Sequence, residues 1–480
     1  MRNLGFDVHS PATPAPPKAR QKGSGTLEIV QQVRSNTRAR CRKVTQQVAD
    51  DKRVAIIGLG YVGLPLAIAF AEAGVEVEGI DASAKRIDEL NAHHSPIDDI
   101  SDERLATALA SHLKVSLATE AHPEAADAVF VCVPTPITDT KDPDLGPVLS
   151  AASLIRDHLR AGQLIVLQST TFPGTTTGPF REVLEQTGLK AGADFDLAFA
   201  PERVNPGDPA SASRGVPRLV GGSTPDATHR AAKLLRHVND KVVELSSPDA
   251  AEMAKLLENT FRNVNIAFIN QLALLCERMG LDVWEIIDAA ATKPFGFMRF
   301  TPGPGVGGHC IPVDPYYLSW RARAFDVTDR FIEAAGDINF AMPRHVVDLT
   351  AEALNDRSKA LKGSRVGVVG VAFKPNVQDP RNSPAGAVLA GILERGAEVR
   401  YHDPHVPKFR DDAGRDHTGV TLDALLHWAD VLVVVTGHKA VEWDHLYEQA
   451  DLVVDTVNSS RGHTLRDRQV LRLGAGWSKG

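Results

Sequence analysis

Residues 58–63 have the sequence Gly-Leu-Gly-Tyr-Val-Gly, which is the G-x-G-x-x-G spacing, between an apolar run that predicts a strand and another that predicts a helix. Gly58 permits a tight turn, Gly60 lets the backbone approach a pyrophosphate, and Gly63 lets helix and strand pack closely. Asp81 ends the next predicted strand, where a carboxylate binds a ribose 2′-OH and repels a 2′-phosphate. The pattern predicts NAD binding, with a plain tight turn as the alternative.

Further cofactor contacts are expected at the ends of other predicted strands. Thr135 and Thr170 each follow one, and the carboxyl ends of parallel strands form the crevice where such sheets bind ligands. Both are candidate contacts to the nicotinamide half, or else turn residues. Arg86, close after Asp81, weakens the preference for NAD over NADP. The predicted cofactor contacts are Gly58, Gly60, Tyr61, Val62, Gly63, Asp81, Arg86, Thr135 and Thr170.

The most glycine-rich stretch of the chain ends in a cysteine. Residues 303–308 contain four glycines, among them Gly305, and lead to His309 and Cys310, with Asp314 close behind. Such a density of flexible residues predicts close approach of the backbone to a ligand. A thiol beside a cofactor that accepts hydride suggests covalent catalysis at the aldehyde level. Asp314 can share the site if a helical turn separates it from Cys310, whereas His309 can assist, bind phosphate or have a structural role.

A long helix is predicted for residues 249–280 from their periodic apolar positions. Lys255, Asn259 and Asn263 are four residues apart on one face, where they form either the wall of a polar cleft or a solvated stripe. The helix can connect domains and form a subunit interface, or it is a core helix of one subunit. Glu202 follows another predicted strand and so lies at a carboxyl end as well.

Alternating strand and helix patterns predict the elements that must position these residues. The pattern of the N-terminal part recurs after residue 364, without the full glycine motif. We therefore predict an α/β protein with two Rossmann-type doubly wound parallel-sheet domains joined by a long central helix. The predicted division is a basic, disordered extension (1–50), an NAD-binding domain (51–247), a central helical and dimerisation region with the cysteine loop (248–340) and a second Rossmann-like domain (341–480).

Composition excludes several classes of protein. The formal net charge is −7 over 480 residues, but residues 1–50 carry nine Lys/Arg and three Asp/Glu, which leaves −13 for the rest. So acidic a body argues against a nucleic-acid partner. No stretch reaches the roughly 18 apolar residues that cross a bilayer. The scattered cysteines argue against a disulfide framework and fit a reducing cytoplasm. The basic extension is an electrostatic tether or is dispensable.

Taken in order, these motifs resemble the UDP-glucose/GDP-mannose dehydrogenase family of nucleotide-sugar 6-dehydrogenases. The cysteine loop, Gly-Gly-His-Cys-Ile-Pro-Val-Asp-Pro, with Lys-Pro-Phe-Gly-Phe-Met before it, most resembles the UDP-N-acetylglucosamine 6-dehydrogenase branch. The resemblance extends over about residues 52–460, and its segments are 58–66, 133–136, 169–175, 201–203, 255–260, 305–315 and 373–375.

The resemblance implies a four-electron oxidation with two NAD⁺, in which the sugar C6 alcohol becomes an aldehyde and then a cysteine thioester that water hydrolyses to the uronate. Lys255 would stabilise oxyanion charge or relay a proton, Asp314 would orient water or take a proton, and Glu202 would act as general base. Thr170 and Asn259 would hold the water and the oxyanion. The implied catalytic residues are Cys310, Lys255, Asp314, Glu202, Thr170 and Asn259.

The resemblance also implies that the C-terminal domain binds the UDP and that the long helix mediates a homodimer. Val457 stands where the family usually has Arg, and Arg461 is a possible replacement. The alternatives are the same chemistry on UDP-glucose or UDP-N-acetylmannosamine, or an inactive nucleotide-sugar-binding protein. The implied substrate contacts are Glu202, Arg203, Val204, Lys255, Asn259, Arg262, Gly305, His309, Lys374 and Arg381.

Overall fold

A computed structural model describes residues 51–97, 100–138, 140–203 and 215–480. The predicted extension 1–50 and the predicted substrate contact Val204 lie outside the described residues. Within the part of the chain that the structure describes, no helix is both long and apolar enough to cross a membrane.

An eight-stranded sheet forms the N-terminal half. Its strands are β1 (Arg53–Ile57), β2 (Glu76–Asp81), β3 (Leu113–Leu117), β4 (Ala128–Val131), β5 (Leu164–Leu167), β6 (Asp196–Phe199), β7 (Arg218–Gly222) and β8 (Val242–Leu245). The order across the sheet is β3-β2-β1-β4-β5-β6-β7-β8, and only the β6–β7 pair is antiparallel. The order diverges from β1 and β4, so the ligand crevice of a doubly wound sheet is expected at their carboxyl ends.

Helices cover both faces of this sheet. They are α1 (Gly63–Glu72), α2 (Ala84–Asn91), α3 (Asp102–Ser111), α4 (Gly146–His158), α5 (Arg181–Leu184) and α6 (Pro225–Leu235). Ile56 belongs to the apolar core that contains Phe70 of α1, and Ile57 to the core that contains Ile155 of α4. Burial on both faces explains why the central strands β4 and β5 are continuous apolar runs.

A long helix, α7 (Pro248–Met279), follows the first sheet and has 32 residues, or about 48 Å at 1.5 Å per residue. The Ser247 side chain accepts a hydrogen bond from the Ala250 amide at its start, and Gly280, with φ of 69°, ends it. The other central helices are α8 (Val283–Ala291), α9 (Asp314–Arg323) and α10 (Arg330–Asn355). Because α10 is continuous, the predicted boundary at 340/341 lies within a helix.

A second sheet forms the C-terminal part, in the order β10-β9-β13-β14-β15-β16, with only β16 antiparallel. The strands are β9 (Arg365–Val369), β10 (Glu398–His402), β11 (Lys408–Arg410), β12 (Asp416–Thr418), β13 (Val431–Val434), β14 (Val453–Asp455), β15 (Val470–Arg472) and β16 (Gly476–Trp477). Strands β11 and β12 form a separate two-stranded sheet. The helices are α11 (Pro384–Glu394), α12 (Leu422–Trp428) and α13 (Trp443–Gln449). The predicted fold class is confirmed.

Asp403, just after β10, is the counterpart of Asp81 in the second sheet, but its surroundings differ. Its Oδ2 accepts hydrogen bonds from the Val371 amide at 2.7 Å and the Ala372 amide at 3.0 Å. His438 Nε2 lies 3.0 Å from the same oxygen, and both side chains are fully buried. Burial opposes ionisation, but the His438 hydrogen bond and the backbone donors lower the pKa of Asp403 to about 2. This carboxylate therefore holds the loop after β9 in place through hydrogen bonds to its backbone.

Candidate active site

The three glycines of the first motif have the geometry that a dinucleotide needs. Gly58 has φ of 94°, and a side-chain carbon there would lie 2.6 Å from the Cys132 carbonyl oxygen. A side chain at Gly63 would overlap the Gly58 carbonyl, whereas among the described residues, apart from the chain neighbours, no atom lies within 4 Å of one placed at Gly60. Turn and packing thus require Gly58 and Gly63, and the open side of Gly60 leaves room for an anion near the N-terminus of α1.

Asp81 and Arg86 both meet this glycine loop. The Leu59 amide donates to Asp81 Oδ2 at 2.9 Å, and Arg86 Nη1 donates to the Leu59 carbonyl at 3.4 Å. Tyr61 and Val62 are half-buried in the same loop. The predicted acid is therefore at the edge of the glycine loop, and the guanidinium that weakened the preference for NAD is bonded to the loop backbone.

Thr135 and Thr170 are half-buried in loops that follow the neighbouring strands β4 and β5. Tyr317 of α9 donates its hydroxyl hydrogen to the Thr135 carbonyl at 2.7 Å. Ser169 Oγ donates to the Val133 carbonyl at 2.8 Å and so joins the two loops. Both predicted contacts lie at the carboxyl edge of the sheet, as expected.

Lys255 and Asn259 lie on the buried face of α7, with 9% and 4% of their surface exposed. Asn259 Nδ2 donates to Asp314 Oδ2 at 2.5 Å, and Asp314 is the first residue of α9. The expected helical turn is present, because the Asp314 amide donates to the Cys310 carbonyl at 2.8 Å. The structure thus brings together the polar face of α7 and the cysteine loop.

Burial controls the protonation of Cys310 and Asp314. It raises the pKa of the Cys310 thiol to about 12, with a further rise from Asp314, while Lys255, Arg262 and Arg381 act in the opposite sense. Burial also raises the pKa of Asp314 to about 6, against the lowering effect of Lys255. At neutral pH the thiol of the free protein is therefore protonated and most Asp314 side chains are ionised.

His309 contacts the thiol directly, since its Nδ1 lies 3.1 Å from Cys310 Sγ. The ring is near both Tyr61 and Phe373, with centroid separations of 6.4 Å to each. Burial, and next the charge of Arg381, lower the pKa of His309 below its ordinary value. The imidazole is therefore neutral at pH 7.

Two glycines before the cysteine pack closely against the protein itself. A side-chain carbon at Gly307 would lie 2.9 Å from both the Asn382 carbonyl oxygen and Phe373 Cβ. Gly308 has φ of 86°, and a carbon there would lie 2.9 Å from the Phe373 ring. Packing within the protein thus accounts for these two glycines, and close approach of their backbone to a ligand stays a prediction. They let the cysteine loop pack against the segment after β9.

Glu202 and Arg203 are both engaged in ion pairs at the end of β6. Glu202 Oε2 lies 2.6 Å from Arg218 Nη1 and accepts a hydrogen bond from Gln168 Nε2 at 3.3 Å. Arg203 forms a two-pronged pair with Glu258 of α7, with distances of 2.6 and 3.2 Å. Arg203 therefore joins this loop to the long helix.

The predicted cations differ in their surroundings. Arg381 forms an ion pair with Asp379 at 2.6 Å, and its guanidinium carbon lies 5.2 Å from the centre of the Tyr61 ring. It is thus beside the first glycine loop. Lys374 is half-buried, and Arg262 is exposed on α7.

A cavity of about 310 Å³ lies at the carboxyl ends of the second sheet. Gly305 and Phe373 line one side, and Trp443 and Val457 belong to the wall that β13, β14 and the residues after them provide. None of its described lining residues is charged. The cavity suits an uncharged part of a ligand.

Comparison with known proteins accounts for most of the chain. Models of the UDP-glucose/GDP-mannose dehydrogenase family match residues 52–239 (NAD binding domain), 249–341 (central domain) and 367–461 (UDP binding domain). A UDP-N-acetyl-D-mannosamine dehydrogenase of Pyrococcus horikoshii is 37% identical over 82% of this chain and 92% of its own length. The chain belongs to the UDP-glucose/GDP-mannose dehydrogenase family.

Other members of the family are similar over comparable lengths. A UDP-N-acetyl-D-glucosamine 6-dehydrogenase of Pseudomonas aeruginosa is 35% identical over 81% of this chain and 91% of its own length. The solved UDP-D-ManNAc dehydrogenase of Pyrococcus horikoshii superposes with a TM-score of 0.78 at 34% identity, covering 88% of this chain and 99% of that chain. This protein is an NAD-dependent oxidoreductase of the nucleotide-sugar dehydrogenases, as predicted.

Val457 of this dehydrogenase lines the cavity. Arg461, considered as a replacement for the missing arginine, pairs with Asp288 of α8 at 2.6 Å and is not among the residues that line the cavity. The cavity therefore has an apolar side chain, Val457, at the position where the resemblance leads us to expect an arginine.

Glu252 is a buried carboxylate of this dehydrogenase that the sequence reading missed. It accepts hydrogen bonds from the Gly174 amide at 2.7 Å and from the amide and hydroxyl of Thr176 at 2.9 and 2.6 Å. Burial raises the pKa of Glu252 to about 7. Its position, three residues before Lys255 on the same helix, was the available signal. Glu252 joins the loop that contains Thr170 to α7.

Three asparagines form a chain of hydrogen bonds, and the sequence predicted only one of them, Asn263, as part of the site. Asn339 of α10 donates to Asn263 Oδ1 at 2.9 Å and accepts from Asn270 at 2.9 Å. Asn270 Oδ1 accepts from the Gly303 amide at 3.0 Å. Asn263 belonged to the predicted polar stripe, but its partners come from distant segments. Together they attach the start of the cysteine loop to α7.

Proposed function

We propose that this protein oxidises the C6 hydroxyl of a UDP-N-acetylhexosamine to a carboxylate through a covalent intermediate on Cys310. One observation carries the proposal: the cysteine is followed by a helical turn to Asp314, which is hydrogen-bonded to Asn259 on the face of α7 that also bears Lys255. A thiol, a carboxylate of raised pKa and a buried ammonium in one site suit nucleophilic addition, proton transfer and oxyanion stabilisation.

NAD⁺, when bound, accepts the hydride released from C6 in each of the two oxidations. The residues present fit it, because Gly58 and Gly63 allow the tight turn and packing, while Gly60 has an open side in the loop that Asp81 contacts. The cofactor contacts proposed from sequence remain our assignment, with Thr135 and Thr170 on the nicotinamide side.

In the proposed reaction Lys255 stabilises the oxygen on C6 as charge develops there. Asp314 takes the proton released by the alcohol, or positions water, because its pKa of about 6 leaves it ionised at neutral pH. Glu202 is the proposed general base for thioester hydrolysis, and Thr170 with Asn259 holds water and oxyanion. Gly305, Phe373 and Val457 contribute to the cavity, which we propose for the uncharged uracil of the UDP moiety.

The acetamido class of sugar is supported by the relatives. Those from Pyrococcus horikoshii and Pseudomonas aeruginosa are named for UDP-N-acetylmannosamine and UDP-N-acetylglucosamine. The cysteine loop favours UDP-N-acetylglucosamine, as the sequence reading did, and UDP-N-acetylmannosamine is the second candidate. Side-by-side kcat/KM values for these two sugars and UDP-glucose test this, and a preference for UDP-glucose contradicts the acetamido proposal.

Replacement of Cys310 tests the covalent step. Cys310→Ala should form no net uronate, because the second oxidation lacks its nucleophile, while NAD binding stays intact. Wild type should yield two NADH per sugar, measured at 340 nm against uronate by mass spectrometry. Cys132→Ala is the matched control, since that thiol is buried in the sheet core and has a raised pKa. Undiminished uronate formation by Cys310→Ala would overturn the mechanism.

A further inference from the structure

We infer that His309 is a catalytic base that takes the proton of the Cys310 thiol as sulfur attacks the aldehyde. The inference rests on the proposed function and adds a residue to which only a general supporting or binding role was given above. It starts from a contact between adjacent residues: His309 Nδ1 and Cys310 Sγ are 3.1 Å apart. With its proton on Nε2, the imidazole presents Nδ1 as the acceptor of the thiol hydrogen.

The need for a base follows from the burial of the thiol. A group with a pKa of about 12 is almost entirely protonated at neutral pH, and a thiol is a poor nucleophile compared with its thiolate. Lys255 and Arg381 would stabilise a thiolate once formed, but both are cations and neither can accept its proton under ordinary conditions. Asp314 is ionised, yet its Oδ2 is already bonded to Asn259 and its charge opposes a thiolate.

The loop holds the ring where it can act. Gly308, with φ of 86°, turns the backbone just before the histidine, and Phe373 packs against that glycine. Phe373 and Tyr61 are both near the imidazole, each with its ring centre 6.4 Å away. The contact to sulfur is therefore supported by both the N-terminal and the C-terminal parts of the chain.

The charged groups around the pair set its protonation. Those facing it are Lys255 and Arg262 from α7, Asp314 from α9, and Arg381 with Asp379 from the segment after β9. Burial, and next the cations, lower the pKa of His309 and keep the imidazole neutral, which is the form that accepts a proton. The same cations stabilise the thiolate as it forms, so proton transfer to His309 becomes easier when sulfur attacks.

The step balances without an added reactant. The Sγ–H bond breaks and its proton moves to Nδ1, while the sulfur electron pair forms the Sγ–C6 bond. The C6=O π pair moves onto oxygen as an alkoxide, which Lys255 stabilises. The product is a thiohemiacetal anion beside an imidazolium, ready for the second oxidation.

Alkylation of Cys310 tests the proton transfer without any sugar. Full-length wild type, His309→Asn and His309→Ala are treated with iodoacetamide at about pH 7.5, and labelling of the Cys310 peptide is followed by mass spectrometry. Asparagine keeps a hydrogen-bond acceptor beside the sulfur but is not a base. Cys132, which is buried, serves as the internal control for unfolding in every sample.

We expect His309→Asn to be alkylated at least about tenfold more slowly than wild type, a fraction of the 10²–10⁴ that general bases contribute. Added imidazole should restore labelling of His309→Ala. Equal rates in wild type and His309→Asn, or a loss in His309→Ala that imidazole does not restore, overturn the inference.

Failure of the proposed function can be distinguished from failure of this inference. Without uronate formation by wild type, the alkylation difference would still report on the His309–Cys310 pair. With uronate formation, His309→Asn should retain the first hydride transfer, seen as about one NADH per site in a rapid phase, and lose the slow second phase. Full second-phase rates in that variant would also overturn the inference.

Discussion

Asp314 shows how one residue obtains its chemistry from its position. It begins α9, is almost fully buried, and is bonded to the α7 amide of Asn259. Burial disfavours its charge more than Lys255 and Asn259 favour it, so its pKa rises to about 6. A carboxylate with this pKa is ionised at neutral pH and is still a useful base.

The pH dependence of turnover should follow this group. Lowering the pH through about 6 protonates the Asp314 carboxylate and removes the base, so kcat should fall about tenfold per pH unit below that value. Asp314→Asn should lower kcat by roughly 10²–10⁴-fold and abolish this limb. Saturating kcat measured from about pH 5 to about pH 9 gives both results, and an unchanged limb in Asp314→Asn would contradict the assignment.

Among the elements, α7 has the largest share of the site. Its N-terminal turns contain Glu252, Lys255 and Asn259 on one buried face, which connects the loop after β5 with the start of α9. On the α9 side, Arg321 Nε donates to the Pro173 carbonyl at 2.9 Å. The loop that contains Thr170 is thus held from both helices.

Removing the carboxylate of Glu252 should loosen this loop. Glu252→Gln replaces one carboxylate oxygen by an NH₂ group, which cannot accept the hydrogen bonds that the Gly174 and Thr176 donors make. Thr170 should therefore lose its fixed position, and kcat/KM for NAD should fall roughly tenfold. Steady-state kinetics and thermal unfolding measure the effect. Asp249→Asn is the matched control, because Asp249 on the same helix accepts a hydrogen bond from the Thr177 hydroxyl, at 2.8 Å, which an asparagine oxygen can also accept. Equal losses in both variants would contradict a specific role for Glu252.

Much of this element-level arrangement was predictable from local sequence. The glycine motif, Asp81, and the course of α7 between Ser247 and Gly280 follow from short-range rules of turns, caps and periodicity. The partners of Glu252 did not follow, because they come from residues about 80 positions away. The contact of Gly308 with Phe373 was hidden for the same reason.

At the scale of the whole molecule, α7 has a second face that the described residues leave exposed. Large apolar side chains are exposed along it, with Leu257 at 62%, Phe268 at 61% and Leu275 at 51%. Their spacing places them opposite the face that bears Lys255 and Asn259. An apolar stripe of this length suits the homodimer that the resemblance implies, which we propose as the oligomer.

A charge within the stripe should weaken this dimer. Phe268→Glu buries a carboxylate at the proposed interface, so the molar mass from light scattering should fall towards that of one chain at micromolar concentration. Thr107→Glu adds the same charge on the exposed surface of α3 and is the control. A dimer that survives Phe268→Glu unchanged would place the interface elsewhere.

The buried carboxylate of Asp403 in the second sheet bears on the order of the steps in the reaction. Asp403 is occupied by His438 and two backbone amides, so the site that would correspond to a dinucleotide's ribose in that sheet is closed. Within the described residues, one glycine loop serves both oxidations of the proposed reaction. Spent NADH must then leave and fresh NAD⁺ must enter while the half-oxidised sugar waits. A covalent bond to Cys310 would keep the half-oxidised sugar in the site during that exchange and prevent release of a reactive aldehyde.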